Sequence, residues 1–405
     1  MADGCVVVGT GQAGFEVAAS LREAGYEEPI ALVGEEPHLP YQRPPLSKGF
    51  VLDTQGMDEV ELRPDAFYRD HRIDLVPGER VTAIDRAARR VRLASGGELA
   101  FQSLVLAVGA HNRGLPVDGA ELDGVVYLRT LDESIALKQR LAASAQVVVI
   151  GGGFIGLEVA ASACVLGKAV TVLEAQPRLM PRVVAPRISE FYRELHAAKG
   201  VTIVCEAAVA EIEGYGGRVR AVRLSGGASY PADLVVVGIG VAPNVEVAQT
   251  AGLPVSNGIA VDEHLQTADP AIYAVGDCAE HPNAFAGRRV RLESVQNAAD
   301  QARCVAASIA GRRAPYTALP WFWTDQFDVR LQMAGLSQGY DSIVTRGNPE
   351  TRKFSVFYFR GPQLVAVDSI NRPADHIVAR RLLSAHVGVT PEQAGDESVD
   401  LRKLR

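Results

Sequence analysis

Cysteine is sparse in this chain of 405 residues. The five present, Cys5, Cys164, Cys205, Cys278 and Cys304, nowhere form a C-x-x-C or C-x4-C pair, so a disulfide framework, a zinc site and a vicinal dithiol all lack support. Their small or apolar neighbours, as in "SACVLG" and "TIVCEA", fit ordinary buried thiols, because unpaired cysteine packs as a small hydrophobe. No run of about 18 uncharged apolar residues occurs, so no membrane-spanning helix is expected. The opening "MADGCVVVGTG" lacks a basic segment followed by an apolar one; no secretory leader and a soluble, cytoplasmic protein are the expectation. Positive charge is in deficit, with 41 Lys and Arg against 48 Asp and Glu for a net charge of −7, which argues against a nucleic-acid binder. Tryptophan occurs only twice, both times inside "PWFWTDQ".

What the chain does contain is a repeat. Residues 5–35 read as strand "CVVVG", a glycine turn, helix "GFEVAASLREAG", strand "IALVG" and Glu35; residues 147–174 give strand "VVVIG", a glycine turn, helix "GLEVAASACVLG" and strand "AVTVLE". Near-continuous apolar strands separated by a helix predict parallel βαβ units. Each unit is followed by an alternating segment with turn signals, "VTAIDRAARRVRLASGGELAFQSLVLAVGA" and "AVAEIEGYGGRVRAVRLSGGASYPADLVVVGIG", which predicts a β-meander returning to the parallel sheet. "TADPAIYAVGDCAE" adds an apolar strand, and "NAADQARCVAASIAG" an amphipathic helix closed by Gly311. From about Tyr316 the chain turns to aromatic-rich alternating strands, "KFSVFYFRG" and "QLVAVDSI", with a helical "ADHIVARRLLSAH"; the polar last dozen residues are expected to fray. The fold class is therefore α/β: two Rossmann-like dinucleotide-binding domains, 1–112 with 241–315 and 113–240, followed by an α+β domain, 316–405.

The glycine turns carry the chemistry. Gly9, Gly11 and Gly14 stand in G-x-G-x-x-G spacing between strand and helix, where the first permits the turn, the second admits a pyrophosphate and the third packs helix on strand. The helix N-terminus then faces the phosphates. Glu35 lies about 20 residues on, where a carboxylate accepts ribose hydroxyls. Gly151, Gly153 and Gly156 repeat the pattern, with Glu174 in the corresponding place; that carboxylate favours NADH over NADPH, while Arg178 is either a surface arginine or a cofactor contact. Asp277, at a strand end far downstream, suits the ribityl chain of a long cofactor or else caps its own turn. The segment near Val295 can aim N–H groups at a flavin's pyrimidine edge. FAD is therefore assigned to the first unit and NADH to the second.

These two fingerprints, with "HLPYQRPPLSK", "LVLAVGA", "TADPAIYAVGDCAE" and "PWFWTDQFD", resemble the FAD-dependent NADH:ferredoxin reductases that serve bacterial cytochrome P-450 and ring-hydroxylating dioxygenase systems. The resemblance covers nearly the whole chain and implies a glutathione-reductase-like fold. It implies FAD contacts from Gly9, Gly11, Ala13, Gly14, Glu35, Arg43, Lys48, Val81, Ala107, Arg129, Asp277 and Val295. NADH contacts are implied for Gly151, Gly153, Phe154, Ile155, Gly156, Glu158, Glu174 and Gly240.

In disulfide reductases of this fold a cysteine pair sits near the flavin, yet "HLPYQRPPLSKGF" has none. Pro44 and Pro45 stiffen the loop, which can hold Lys48 where its ammonium stabilises charge on the reduced flavin. The resemblance makes Glu158 its ion-pair partner. The plainer alternatives are a solvated loop lysine and a helix-surface carboxylate. Without a thiol relay, electrons are expected to leave for an acceptor outside the chain, and the resemblance implies that this is a 2Fe-2S ferredoxin taking them one at a time. Trp323 is either core packing or a residue at the docking face. The family's acidic partners imply docking on basic residues, Arg303 first, with Arg312 and Arg313 behind it. No metal site, nucleic acid or membrane partner is expected, and the oligomeric state is a monomer or weak dimer. A redox-responsive flavoprotein resembling apoptosis-inducing factor is the alternative, disfavoured by the compact third domain; an NADH oxidase or peroxidase is disfavoured by the missing loop cysteine.

Overall fold

A computed structural model of the chain describes residues 3–404. The contacts divide it into two compact units, Met1–Gln42 with Met57–His111 and Ala242–Trp321, and Arg43–Gly56 with Asn112–Val241 and Phe322–Arg405. The segment Arg43–Gly56, which the sequence boundaries place in the first domain, thus packs with the second unit.

The first unit is built on parallel strands in the order Ile73–Pro77, Ile30–Gly34, Gly4–Val8, Glu98–Leu106 and Ile272–Ala274. Every residue of Gly4–Val8 and Ile30–Gly34 is buried, as expected of strands covered on both faces. The early part of Glu98–Leu106 alternates exposed and buried positions and pairs antiparallel with Arg90–Leu93, which pairs with Val81–Asp85 to complete the meander. Helix Gln12–Glu23 buries Phe15, Val17, Ala18 and Leu21 and packs against helix Val295–Ile309.

The second unit repeats the plan, with parallel strands in the order Thr202–Val204, Ala169–Leu173, Gln146–Ile150, Leu234–Val237 and Val125–Tyr127. Its meander is Val209–Tyr215, Arg218–Leu224 and Ser229–Pro231. The C-terminal part is a five-stranded sheet ordered Trp321–Gln326, Val329–Gly335, Gln363–Ile370, Lys353–Arg360 and Ser342–Asn348, covered by helix Pro373–Ser384. Through Leu404 the polar tail is tied down rather than frayed, and Arg405 lies outside the described residues. The Arg346 guanidinium donates to the carbonyls of Ala394, Asp396 and Val399, Arg381 donates to those of Leu401, Arg402 and Leu404, and Leu401 is buried. Composition predicted fraying because the two arginines that hold these carbonyls lie elsewhere in the chain.

Inside the C-terminal sheet, Asp368 is fully buried and accepts a hydrogen bond from the Tyr358 hydroxyl, which itself accepts from the Ala185 N–H at the start of helix Pro186–Ala198. Burial pushes the Asp368 carboxyl up to about 7, against a partly offsetting bond from Tyr358. The native state thus holds this proton more tightly than the unfolded chain. Its contribution to stability is fully present below the unfolded value near 4 and falls away as pH rises through about 7. Asp368→Asn is expected to flatten the fall of the urea midpoint between pH 4 and pH 7, a window worth roughly a few kcal/mol; an unchanged slope in the variant would locate the pH dependence elsewhere.

Candidate dinucleotide sites and the Lys48–Glu158 pair

Strand Gly4–Val8 runs straight into the first glycine turn. Gly9 has φ +110°, and a Cβ there would stand 2.2 Å from the Ala107 carbonyl oxygen, so the turn lies hard against the end of strand Glu98–Leu106. A Cβ on Gly14 would fall 1.8 Å from the Gly9 carbonyl oxygen. Gly11 is different: a Cβ there would meet nothing within 4 Å. No side chain caps the helix that begins after Gly11, although its first N–H groups lack intrahelical acceptors. An open floor lined by uncapped donors fits a pyrophosphate.

The second turn has the same form. Gly151 has φ +110° with a Cβ position 2.4 Å from the Gly238 carbonyl oxygen, Gly156 would press on the Gly151 carbonyl oxygen at 2.2 Å, and Gly153 opens onto nothing within 4 Å. Helix Phe154–Val165 also has no side-chain cap. Both turns therefore fit a dinucleotide.

In the first unit, Gly9, Glu35, Ala107 and Asp277 each follow the carboxyl end of a parallel strand, the edge at which such sheets bind ligands. Glu35 is 74% exposed, with the Arg80 guanidinium 4.0 Å away. Asp277 rides on the short turn Gly276–Cys278, whose Gly276 N–H donates to the buried Gln301 Oε1 at 2.7 Å. Ala13 lies beside Gly276, Val81 is buried at the start of its strand, and Val295 opens helix Val295–Ile309, where Ser294 is the cap.

In the second unit, Phe154 and Ile155 open the nucleotide helix, Gly240 follows strand Leu234–Val237, and Glu174 ends strand Ala169–Leu173. Glu174 is buried and accepts from the N–H groups of Gly152 (2.6 Å) and Gln176 (2.8 Å), so the carboxylate braces the glycine turn. Arg178 is half-buried rather than a solvated surface arginine. Its guanidinium donates to the carbonyls of Val184 and Pro181 and to Ser189 Oγ, which holds its own loop together. With that cation committed and a carboxylate beside the turn, the half-saturating NADPH concentration for flavin reduction is expected to exceed that of NADH by at least about tenfold; equal values in stopped-flow titrations would contradict this.

Lys48 and Glu158 meet. The Lys48 Nζ lies 2.8 Å from Glu158 Oε1, with side-chain exposures of 22% and 3%. Ser47 Oγ donates to Glu158 Oε2 at 2.5 Å, and Thr324 Oγ1 donates to Oε1 at 2.6 Å. The loop that delivers Lys48 is the short helix Pro44–Ser47, pinned by Ser134 Oγ donating to the Leu46 carbonyl and Ser162 Oγ donating to that of Ser47. Removing the cation from a buried carboxylate is costly. Arg43 and Arg129 are also neighbours: the Arg43 guanidinium donates to the Arg129 carbonyl, and the Arg129 N–H bonds Glu133 at the capping box of helix Leu131–Ala143.

The cysteines form no disulfide. All five cysteines are unpaired; burial pushes Cys5 up to about 12 and both Cys278 and Cys304 up to about 11, and it raises Cys205 as well. Trp323 is half-buried on the edge strand Trp321–Gln326, beside Phe322, whose ring packs 4.7 Å from that of Phe154. Arg303 is already engaged, at 2.6 Å from Glu16 and 2.9 Å from Asp300. Arg313 pairs with Asp262 at 3.3 Å, whereas Arg312 is exposed. The sequence reading missed Ser47, Thr324, Gln326 and His196 around Glu158; the alternation in "FWTDQ", with Phe322, Thr324 and Gln326 on one face, was the available signal. Among the described residues no helix is long and apolar enough to cross a membrane.

Two glycine turns in one chain, each fitting a dinucleotide, are the hallmark of a pyridine-nucleotide flavoprotein oxidoreductase. Residues 3–302 match the family described as pyridine nucleotide-disulphide oxidoreductase, and residues 321–405 match the reductase C-terminal domain. The chain belongs to the pyridine nucleotide-disulphide oxidoreductase family, whose cofactors are FAD and NAD(H), and within it to the ferredoxin reductases. It is 48% identical to rhodocoxin reductase of Rhodococcus erythropolis over 98% of this chain and 93% of the relative. The crystal structure of the ferredoxin reductase for the CYP199A2 system from Rhodopseudomonas palustris superposes with a TM-score of 0.97 at 49% identity, covering 99% of both chains. The reductase of a covalent putidaredoxin reductase–putidaredoxin complex gives 0.96 at 43% identity, covering 99% of this chain and 97% of that one.

Proposed function

We propose that this enzyme carries electrons from NADH to a 2Fe-2S ferredoxin that feeds a cytochrome P-450 monooxygenase or a ring-hydroxylating dioxygenase. The observation that carries this reading is the ion pair between Lys48 and the buried Glu158, in a chain whose loop before Lys48 holds no cysteine. FAD, when bound, supplies the redox chemistry by taking a hydride from NADH and releasing its electrons singly. The chain's own part is binding and electrostatics. The turn at Gly9, Gly11 and Gly14 holds the FAD pyrophosphate, with Glu35, Asp277, Arg43, Arg129 and the Val295 segment on the rest of that cofactor. The turn at Gly151, Gly153 and Gly156 holds NADH. Lys48 presents a fixed positive charge, and Glu158 and Ser47 keep it from rotating away.

For the partner, Arg303 reaches an acidic ferredoxin only by exchanging its existing carboxylates, which makes the exposed Arg312 the readier contact. The proposed setting is the cytoplasm, as a monomer or weak dimer. The test is stopped-flow mixing with NADH, followed by cytochrome c reduction with and without a 2Fe-2S ferredoxin. Rapid loss of the flavin band and a strong ferredoxin dependence are expected. A band that neither nicotinamide bleaches, or turnover indifferent to ferredoxin, would refute the reading, as would abolition of turnover by a thiol-blocking reagent that leaves the fold intact.

A further inference from the structure

We propose that Thr324, Gln326 and His196 form a one-way hydrogen-bonded chain that positions the Glu158 carboxylate and, through it, the Lys48 ammonium. The inference rests on the function proposed above for Lys48, and it concerns residues that role leaves unexplained.

The polarity of the chain follows from its end. The Thr324 hydroxyl donates its single proton to Glu158 Oε1 at 2.6 Å. The Thr324 oxygen is then an acceptor for the Gln326 Nε2 amide at 3.4 Å, which turns Gln326 Oε1 toward His196 Nε2 at 2.9 Å. That nitrogen must carry the ring proton, leaving Nδ1 bare, and Nδ1 has no hydrogen-bond partner. Each link has one possible direction. Burial lowers the His196 pKa, in keeping with a neutral ring, and the Phe327 ring packs edge-on 5.0 Å from it.

The chain is also dry. His196 and Thr324 are 0% exposed, Gln326 1% and Glu158 3%, so water cannot substitute for a missing link without opening the interior. Four segments meet at Glu158: helix Pro186–Ala198 supplies His196, strand Trp321–Gln326 supplies Thr324 and Gln326, helix Phe154–Val165 supplies Glu158, and the turn Pro44–Ser47 leads into Lys48. A glutamate side chain has three torsions to fix. Ser47 on one oxygen and Thr324 on the other fix its plane, and the amide and imidazole behind Thr324 fix the threonine hydroxyl. These are positioning residues, since none of the three touches Lys48.

The experiment uses the FAD-loaded protein and the variants Thr324→Val, Thr324→Ser and Gln326→Met. One readout is the rate at which an amine-reactive acetylating reagent labels Lys48 without NADH, with exposed Lys353 as internal reference. The other is the limiting rate of flavin bleaching by NADH, read apart from the half-saturating concentration. Thr324→Val is expected to speed Lys48 labelling and lower the limiting rate, each by about fivefold to tenfold, with Lys353 labelling and half-saturation unchanged. Thr324→Ser should restore both, and Gln326→Met should move both in the Val direction by a smaller factor. Unchanged Lys48 labelling in Thr324→Val, failure of serine to restore it, or parallel acceleration at Lys353 would each overturn the proposal. The labelling reads the position of Lys48 whether or not the protein reduces ferredoxin, so failure of the wider functional reading would be seen separately.

Discussion

Replacing Lys48 with methionine is expected to slow NADH-driven bleaching of the flavin band by about a hundredfold or more, the loss typical when a fixed electrostatic group is taken from a reacting centre. A second consequence has to be separated from this one. Glu158 is 3% exposed, and without Lys48 its charge would rest on the Ser47 and Thr324 hydroxyls alone. Stranding a buried charge costs about 3–5 kcal/mol, so Lys48→Met should also lower the melting temperature. Adding Glu158→Gln removes the stranded charge while keeping the shape and one of the two accepted hydroxyl bonds, the amide NH2 donating to the other hydroxyl oxygen, and should return most of the lost stability. The bleaching rate should stay slow in the double variant. Recovery of the rate together with stability would mean that Lys48 does no more than neutralise Glu158, and the electrostatic role would fall.

The parts of this site legible in the sequence are those set by the backbone. A G-x-G-x-x-G between strand and helix demands a tight turn, an open floor and a close helix contact, and Gly9, Gly11 and Gly14 meet these demands in turn, as do Gly151, Gly153 and Gly156. The parallel strands were legible for a similar reason: burial on both faces leaves a continuous apolar run. Side chains that serve distant backbone were not legible. Arg178 looked available to a cofactor because its acceptors, the carbonyls of Pro181 and Val184, belong to a loop whose path no periodicity reveals. The tail looked loose for the same reason, with Arg346 and Arg381 far away in the chain. Arg303 looked like a free surface cation, yet only one of its two carboxylates, Asp300, was visible as a helical neighbour; Glu16 comes from the first helix. His196 reaches Gln326 across a sequence separation of 130 residues, a contact that only the folded chain discloses.

Which cradle takes which cofactor can be decided at Gly11 and Gly153. Most glycine-turn substitutions confound binding with folding, since a Cβ on Gly9 or Gly14 would collide with the protein's own carbonyls. Gly11 and Gly153 avoid this difficulty. Their φ values are −71° and −83°, ordinary for any L-residue, and a Cβ at either position points into space with no protein atom within 4 Å. A valine placed there leaves the polypeptide unstrained and obstructs only what lies on the floor of the turn. Gly11→Val is therefore expected to fold but to purify nearly colourless, its FAD affinity lowered by about a hundredfold or more, equivalent to about 3 kcal/mol. Gly153→Val should purify yellow with normal FAD content and need about a hundredfold more NADH to bleach it. Absorbance of the purified proteins and titration with NADH read the two outcomes directly. A yellow Gly11→Val protein that no longer responds to NADH, paired with a colourless Gly153→Val protein, would exchange the two assignments. Normal colour and normal NADH response in both would show that neither floor lies under a pyrophosphate. The assignment is sensitive to this test because the same feature, a glycine whose missing side chain faces open space, has no other structural reason to be present at either turn.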